Sequence, residues 1–344
     1  MKKIIHIITL SVLLFAGCSK PVAVPETPEQ FDRYIFFSQN IATKASLIGS
    51  VADLKDKHFG VVGFKYNKGL VWNNLKADAT PNVFASTPQS VECDANGYGK
   101  YSPLQGWSDL KKYAFFAFYP MPNNYVSLVN LGGTTSYTAG VPAIKYTIDT
   151  EDIKGSMDDV MIASPHIGLD GSSSDVTNND VTFSFDHCLS SVGVKIKNST
   201  NTAVTISKVD FTVSGIQNKE IIIPLDKSQA TPVSATTPMS ASLSLSLTDA
   251  DKTMQANTTD YVELSDKLIF IPQIGNLTIS KFQITFRRGT AAAESFIVND
   301  LTTALEEGKK HLISLNIKES TVDVSYKFET NAWTDIDDVY DTFN

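Results

Sequence analysis

The sequence predicts an all-β fold, two β-sandwich domains in tandem behind a short export segment. Three observations carry this reading. Apolar and polar residues alternate along most of the chain, no long stretch keeps a helical period, and Gly, Pro, Asn and Ser recur between the alternating runs. Short strands at frequent intervals with turn residues between them pack as sandwiches. The 344 residues suit two such units, and a composition of 42% hydrophobic and 19% charged residues lets each bury a substantial core.

The chain opens on Lys2 and Lys3, continues with a mostly apolar run from Ile4 to Phe15, and reaches the small-residue site Ala16-Gly17-Cys18. That is the three-part layout of a secretory signal over residues 1–17. The apolar run is shorter than the roughly 20 residues that a spanning helix needs. Cys18 falls where an exported lipoprotein receives its lipid, with Phe15 standing where Leu is usual. Acyl chains on Cys18 would anchor the protein, each buried methylene contributing roughly 0.8 kcal/mol. Residues 18–30 hold Pro21, Pro25 and Pro28 and few large apolar groups, and read as an extended tether.

In the first half, Val61, Val62, Phe64 and Tyr66 mark one strand, and Val160-Met161-Ile162 another. Tyr113 to Tyr119 is apolar on both faces, as a central buried strand should be, and Pro120 and Pro122 end it. The polar run from Gly168 to Asp180 is the predicted boundary, which gives an N-terminal sandwich over 31–172 and a C-terminal one over 173–344. In the second half, Val181, Phe183, Phe185 and His187 share a face, and after Leu189 the phase flips to Val192, Val194 and Ile196. A one-residue slip reverses the buried face, so a bulge or bend is expected near Leu189 to Ser191. The same flip separates Val204/Ile206 from Val209/Phe211/Val213, and Leu277/Ile279 from Phe282/Ile284/Phe286. Leu243, Leu245 and Leu247 alternate as well, as do Leu315 and Ile317, then Val322, Val324, Tyr326 and Phe328.

Little points to catalysis. A net charge of -8 argues against nucleic acid or an anionic lipid surface as the main partner. The histidines, His6, His58, His166, His187 and His311, form no metal-binding spacing, and no nucleophile elbow, P-loop or dinucleotide fingerprint is present. The expectation is therefore a non-enzymatic protein without metal or cofactor. His187 reads as a core imidazole satisfied by a backbone carbonyl. Asp158-Asp159 and the Asp335 to Asp338 cluster lack calcium-loop spacing and read as solvated turns. Cys93 and Cys188 read as buried free thiols. Tyr98, Tyr101 and Trp107, in a Gly-rich segment, offer either a platform for sugars or, for Trp107, core packing.

Several short motifs then resemble the fimbrillin family of the Bacteroidales, the subunits and accessory proteins of type V pili. They are Trp107 followed by Tyr113-Ala-Phe-Phe-Ala-Phe-Tyr-Pro120; Ile144-Lys-Tyr146; Met157-Asp-Asp-Val-Met-Ile-Ala163; and Phe185-Asp-His-Cys-Leu189 followed by Val192, Val194, Ile196 and Asn198. Leu268-Ile-Phe-Ile-Pro-Gln273, Leu305-Glu-Glu-Gly-Lys309 and Trp333 complete the series. Their order and spacing carry the resemblance across nearly the whole mature chain.

The resemblance implies two tandem transthyretin-like β-sandwich domains, a lipid anchor in the outer membrane, and exposure at the cell surface or fimbrium after maturation. It also implies assembly with other pilus subunits, of the same or another kind, by strand exchange: a trypsin-like protease removes the first strand and another subunit's strand replaces it. The candidate first strand is Tyr34 to Ile41, with Ile35, Phe36 and Phe37. The candidate cuts are Lys44, in Ala42-Thr43-Lys44-Ala45, and Arg33, which would leave the strand in place. The candidate donor is the tail from Asn331 to Asn344, with Trp333, Ile336, Val339, Tyr340 and Phe343 as plugs. The alternative expectation is a monomeric surface lipoprotein that binds a glycan or host ligand.

Overall fold

A computed structural model describes residues 33–41, 54–131, 136–148, 159–178, 180–216, 220–228, 231–232, 239–246, 253–263, 269–271, 275–305 and 308–329. Residues 1–32, with Cys18, together with Lys44, Asp158 and residues 330–344, with Trp333, Ile336, Val339, Tyr340 and Phe343, lie outside these residues.

The described residues are nearly all strand. The first group comprises β1 (Phe37–Ile41), β2 (His58–Asn67), β3 (Gln89–Cys93), β4 (Tyr98–Lys100), β5 (Lys111–Tyr119), β6 (Val126–Asn130), β7 (Pro142–Thr147), β8 (Met161–Ala163), β9 (His166–Asp170) and β10 (Val181–His187). The chain continues with β11 (Ser190–Asn198), β12 (Val204–Ile216), β13 (Glu220–Pro224), β14 (Thr231–Pro232), β15 (Met239–Ser246), β16 (Thr253–Met254), β17 (Val262–Glu263), β18 (Ile269–Ile271), β19 (Gly275–Arg288), β20 (Glu294–Leu305), β21 (Lys310–Ile317) and β22 (Val322–Glu329). Two single-turn helices interrupt them, α1 (Trp72–Leu75) and α2 (Ser174–Thr177).

The largest sheet runs β2-β3-β4-β1-β10-β8-β5-β9, and β2 also pairs with β5. That extra pairing closes seven strands into a barrel, with β9 attached outside the ring on β5. Closure removes sheet edges and makes an interior that side chains must fill. Ile35, Phe37, Phe59, Val61, Val91, Phe115, Ala117, Phe183 and Phe185 fill it. The opposite faces of β2 and β5 carry Val62, Phe64, Phe116 and Phe118, which pack with Val126, Leu128, Ile144, Tyr146, Ile221 and Ile223 of a four-stranded sheet, β14-β13-β7-β6. Strand β5 is thus a wall shared by two cores, which is why Tyr113 to Tyr119 is apolar on both faces. Trp72 of α1 covers the same wall, 4.8 Å from the Phe64 ring and 5.7 Å from that of Phe116.

The expected boundary at 172/173 does not separate sheets. Strand β10 lies beyond it yet is a stave of the barrel, parallel to β1 and antiparallel to β8. Strand β13, later still, pairs with β7. The polar run from Gly168 to Asp180 includes α2, whose cap Ser173 accepts from Asp175 N, and it links two strands of one sheet. Polar connections join neighbouring strands as readily as domains.

The remaining strands form two five-stranded sheets, β17-β11-β21-β22 with β18 on β11, and β15-β12-β19-β20 with β16 on β12. The expected phase flips are present, by two mechanisms. After His187 the chain leaves the barrel and enters the sheet of β11, with Cys188 and Leu189 both buried. Between Ile206 and Val209 the register against β19 shifts at Ser207, and a second shift falls between Ile279 and Lys281. These irregularities keep Val204, Ile206, Val209, Phe282, Ile284 and Phe286 all buried. Cys93 and Cys188 are buried thiols rather than halves of a disulfide.

Candidate functional site

The candidate site is the slot that β1 occupies in the barrel. Alternation through β1 and the three residues leading into it assigns the side chains: Ile35, Phe37 and Gln39 point inward and are buried, while Tyr34 and Phe36 are 40% and 47% exposed. Of the apolar run at the start of the strand, only every second residue therefore serves the core. Strand β1 runs parallel to β10, from Phe37 opposite Val181 to Ile41 opposite Phe185. It runs antiparallel to β4, with Phe37 opposite Gly99.

Backbone bonds hold both edges. Val181 N donates to Phe36 O at 2.9 Å and Gln39 N to Gly97 O at 2.9 Å. Ahead of the strand, Ile35 N donates to Gln105 O at 2.8 Å and Trp107 N to Arg33 O at 3.0 Å. The Tyr101 hydroxyl donates to Ile35 O at 2.8 Å, and burial pushes its pKa up to about 12, so it stays a donor. On the outer face, the Ser38 and Thr182 hydroxyls lie 2.8 Å apart.

Inside, Phe37 is 1% exposed and sits in an aromatic socket. Its ring centroid lies 5.4 Å from Tyr101, 5.4 Å from Phe115 in edge contact, 5.5 Å from Phe183 in a stack and 6.2 Å from Phe84. Gly99 makes room on β4, since a Cβ there would meet Val91 Cγ1 at 2.6 Å. Two places on, Gln39 is 5% exposed and its Oε1 accepts from the Cys93 thiol at 3.0 Å. Its Nε2 has no partner among the described residues. Burial pushes the Cys93 pKa up to about 11, which keeps the thiol protonated and unreactive. Gln39, Cys93 and Tyr101 were not legible as members of one site from the sequence, although the alternation Ile35-x-Phe37-x-Gln39 was there to be seen.

Of the candidate cuts, Arg33 is tied into the fold by its carbonyl and by an ion pair with Asp109. Lys44 lies outside the described residues. The aromatic trio does not form a platform. Trp107 is buried against Tyr113, Tyr101 lines the slot, and only Tyr98 is well exposed, at 55%. A surface groove of about 400 Å³ beside α1 is lined by Tyr66, Trp72 and Asn82 among others. Both rings are buried, and the Asn82 amide is already paired with the N–H and carbonyl of Lys65.

Two expectations about polar residues need correction. Asp159 is not a solvated turn residue: it is buried, and its Oδ1 lies 2.8 Å from His187 Nδ1. The carboxylate, rather than a backbone carbonyl, is thus the partner found for His187. His58 lies 3.1 Å from Ser90 Oγ and His166 Nε2 lies 2.8 Å from Thr182 O. Among the described residues no group of three or more His, Cys, Asp or Glu side chains could hold a metal ion.

A sequence model described as fimbrillin-like matches residues 56–333, most of the chain. The chain belongs to the fimbrillin-like family. The fimbrium subunit Fim1C of Phocaeicola vulgatus is 24% identical to this fimbrillin-like chain, covering 96% of it and 97% of that protein. A fimbrial protein from Bacteroides vulgatus superposes with a TM-score of 0.58 at 17% identity, over 88% of this chain and all of that one. A structure described as that of a cell adhesion protein from Bacteroides ovatus gives 0.53 at 18% identity, over 89% of this chain and 99% of that one. At such identities the two structures speak for the fold.

Proposed function

We propose that this fimbrillin-like protein is a structural and adhesive subunit of a type V-like pilus. It is exported as a lipoprotein held in the outer membrane through Cys18, and assembled at the cell surface by strand exchange after proteolytic removal of β1. The observation that carries this reading is topological. Strand β1 is bonded on both sides, yet its neighbours β4 and β10 lie far along the chain, and no hairpin ties it to either. A single cut between Ile41 and Leu54 would sever every covalent link between β1 and the staves it pairs with. Departure of β1 would leave two unpaired ladders flanking an apolar slot, which is the surface that strand addition fills. Affinity would come from backbone bonds and buried side chains, with no catalytic group required. The relation to a fimbrium subunit supports the same reading.

Lys44 is the cut consistent with release, because cleavage at Arg33 leaves β1 in the barrel. The tail plugs Trp333, Ile336, Val339, Tyr340 and Phe343 are candidate contributions to the next subunit. The test is limited digestion of the mature chain, starting at Ser19, by a trypsin-like protease. Fragments are sized by mass spectrometry, and unheated samples are run on denaturing gels. A cut after Lys44 is the expected result; denaturant-resistant ladders would mark copies that donate to one another, and a cut without ladders a subunit that takes its strand from another. An intact, monomeric protein after prolonged digestion would overturn the proposal and leave the monomeric glycan- or host-ligand-binding lipoprotein in its place.

A further inference from the structure

Three inward residues, Ile35 just ahead of β1 and Phe37 and Gln39 within it, differ in chemistry, and the slot meets each with a different surface. Ile35 is fully buried in the apolar interior, and Phe37 enters the socket of Phe84, Tyr101, Phe115 and Phe183. Gln39 reaches the Cys93 thiol. We propose that the slot selects its occupant by this order: an aliphatic residue, an aromatic two places on and an amide two places further, on a polypeptide strand running parallel to β10. This rests on the strand-exchange reading above and adds the sequence that the incoming strand must carry.

Register is what the pattern controls. A slip of one residue would turn Tyr34, Phe36 and Ser38 inward and expose the other set. A slip of two would place the Gln39 amide among four aromatic rings. There the Tyr101 hydroxyl already donates to Ile35 O and accepts from Gln105 N, so it is committed. A buried amide without a partner is costly, and a single polar group in an apolar interface is a known way to fix register.

The pattern also separates kinds of donor. From Asn331 to Asn344, no aliphatic residue and aromatic residue stand two places apart, whichever direction the segment is read. The tail of a second copy is therefore a poor fit, and the slot favours a strand of different sequence from another subunit.

The test uses the full chain with one protease recognition sequence inserted after Lys44, cut in the folded state. A fluorescent peptide spanning residues 33–41 is added, and its exchange for the resident strand is followed by anisotropy. Substituted and unrelated peptides then compete with it. The expected result is exchange of the native peptide, with Phe37→Ala weakening competition at least about 100-fold. Gln39→Ala should weaken it about fivefold. That fivefold loss should vanish when the slot carries Cys93→Ala, as coupled partners require. A peptide of residues 331–344 should compete at least about 100-fold less well than the native one, because seating Trp333, Tyr340 or Phe343 in the socket puts Asn331, Asp338 or Asp341 in the apolar place of Ile35. If the native peptide never exchanges in the cut chain, the strand-exchange reading itself falls. Exchange with Gln39→Ala equally effective in both slots, or with the tail peptide matching the native one, leaves strand exchange standing and overturns the selection proposed.

Discussion

Removal of the Phe37 ring should loosen β1 without unfolding the rest of the barrel. The ring is 1% exposed and touches four other aromatic rings. Truncating a phenylalanine in such a site costs about 3–5 kcal/mol, the lost transfer energy plus that of the cavity left behind. At about 1.4 kcal/mol per decade, that raises the population of the open state by roughly two to three and a half decades. Cys93 reports the opening. In the closed slot its pKa is pushed up to about 11, so roughly one thiol in a thousand is ionised at pH 8; in the open slot the ordinary value of about 8.5 returns. The assay is pulsed alkylation of the full chain carrying Phe37→Ala, with the Cys93 and Cys188 peptides quantified separately by mass spectrometry. Cys93 should react at least 100-fold faster than in the unsubstituted protein, by the cavity cost above, while Cys188 keeps its protection. An unchanged Cys93 rate would refute the reasoning. So would equal acceleration at both thiols, because the strand would then open only with the whole fold.

Three further outcomes are expected. Gly308 has φ +65°, and a Cβ there would meet His187 O at 2.8 Å, so Gly308→Ala should destabilise the protein by about 1–3 kcal/mol in urea unfolding. Asp159→Ala removes the buried partner of His187 Nδ1 and should cost about 1–3 kcal/mol in the same measurement, with Asp159→Asn milder because an acceptor remains. Burial, then the charge of Lys309, lowers the His311 pKa to about 4. The unfolded chain therefore takes up this proton first. The stability His311 confers is complete above about pH 6.5 and drains away as pH falls towards 4. His311→Asn should flatten the pH dependence of the urea midpoint over that window relative to the unsubstituted chain; parallel curves would contradict it.

How much of this was legible in the sequence depended on distance along the chain. The strands were legible because alternation is local: Phe183, Phe185 and Phe282, Ile284, Phe286 lie buried where their phase put them. The bulge at Ser207 was legible because a phase flip has few other causes. Barrel closure was not. It rests on β1 meeting β10, with Phe37 opposite Val181, and on β2 meeting β5. Nothing in either partner's local pattern names the other. The same blindness hid Asp159, a polar residue beside another in what reads as a turn, whose burial is set by a histidine far along the chain. Within the site, Ile35 and Phe37 were found by their apolarity, whereas Gln39 was missed because an amide in a strand ordinarily faces solvent.

Closure of the barrel also bears on how exchange would proceed. Burying Ile35 and Phe37 contributes about 1.5–3 kcal/mol each. The backbone bonds along both edges add roughly 0.5–1.5 kcal/mol apiece. A severed β1 held on these terms would stay in place long after the chain is cut, because leaving exposes two ladders at once in a fold that otherwise has no edge there. Proteolysis would then license exchange without driving it. The replacement strand must match the same three positions, and extra affinity must come from contacts beyond them. A donor that only repeated Ile35, Phe37 and Gln39 would compete evenly with the strand it replaces. One that extends past Ile41 along β10 would win.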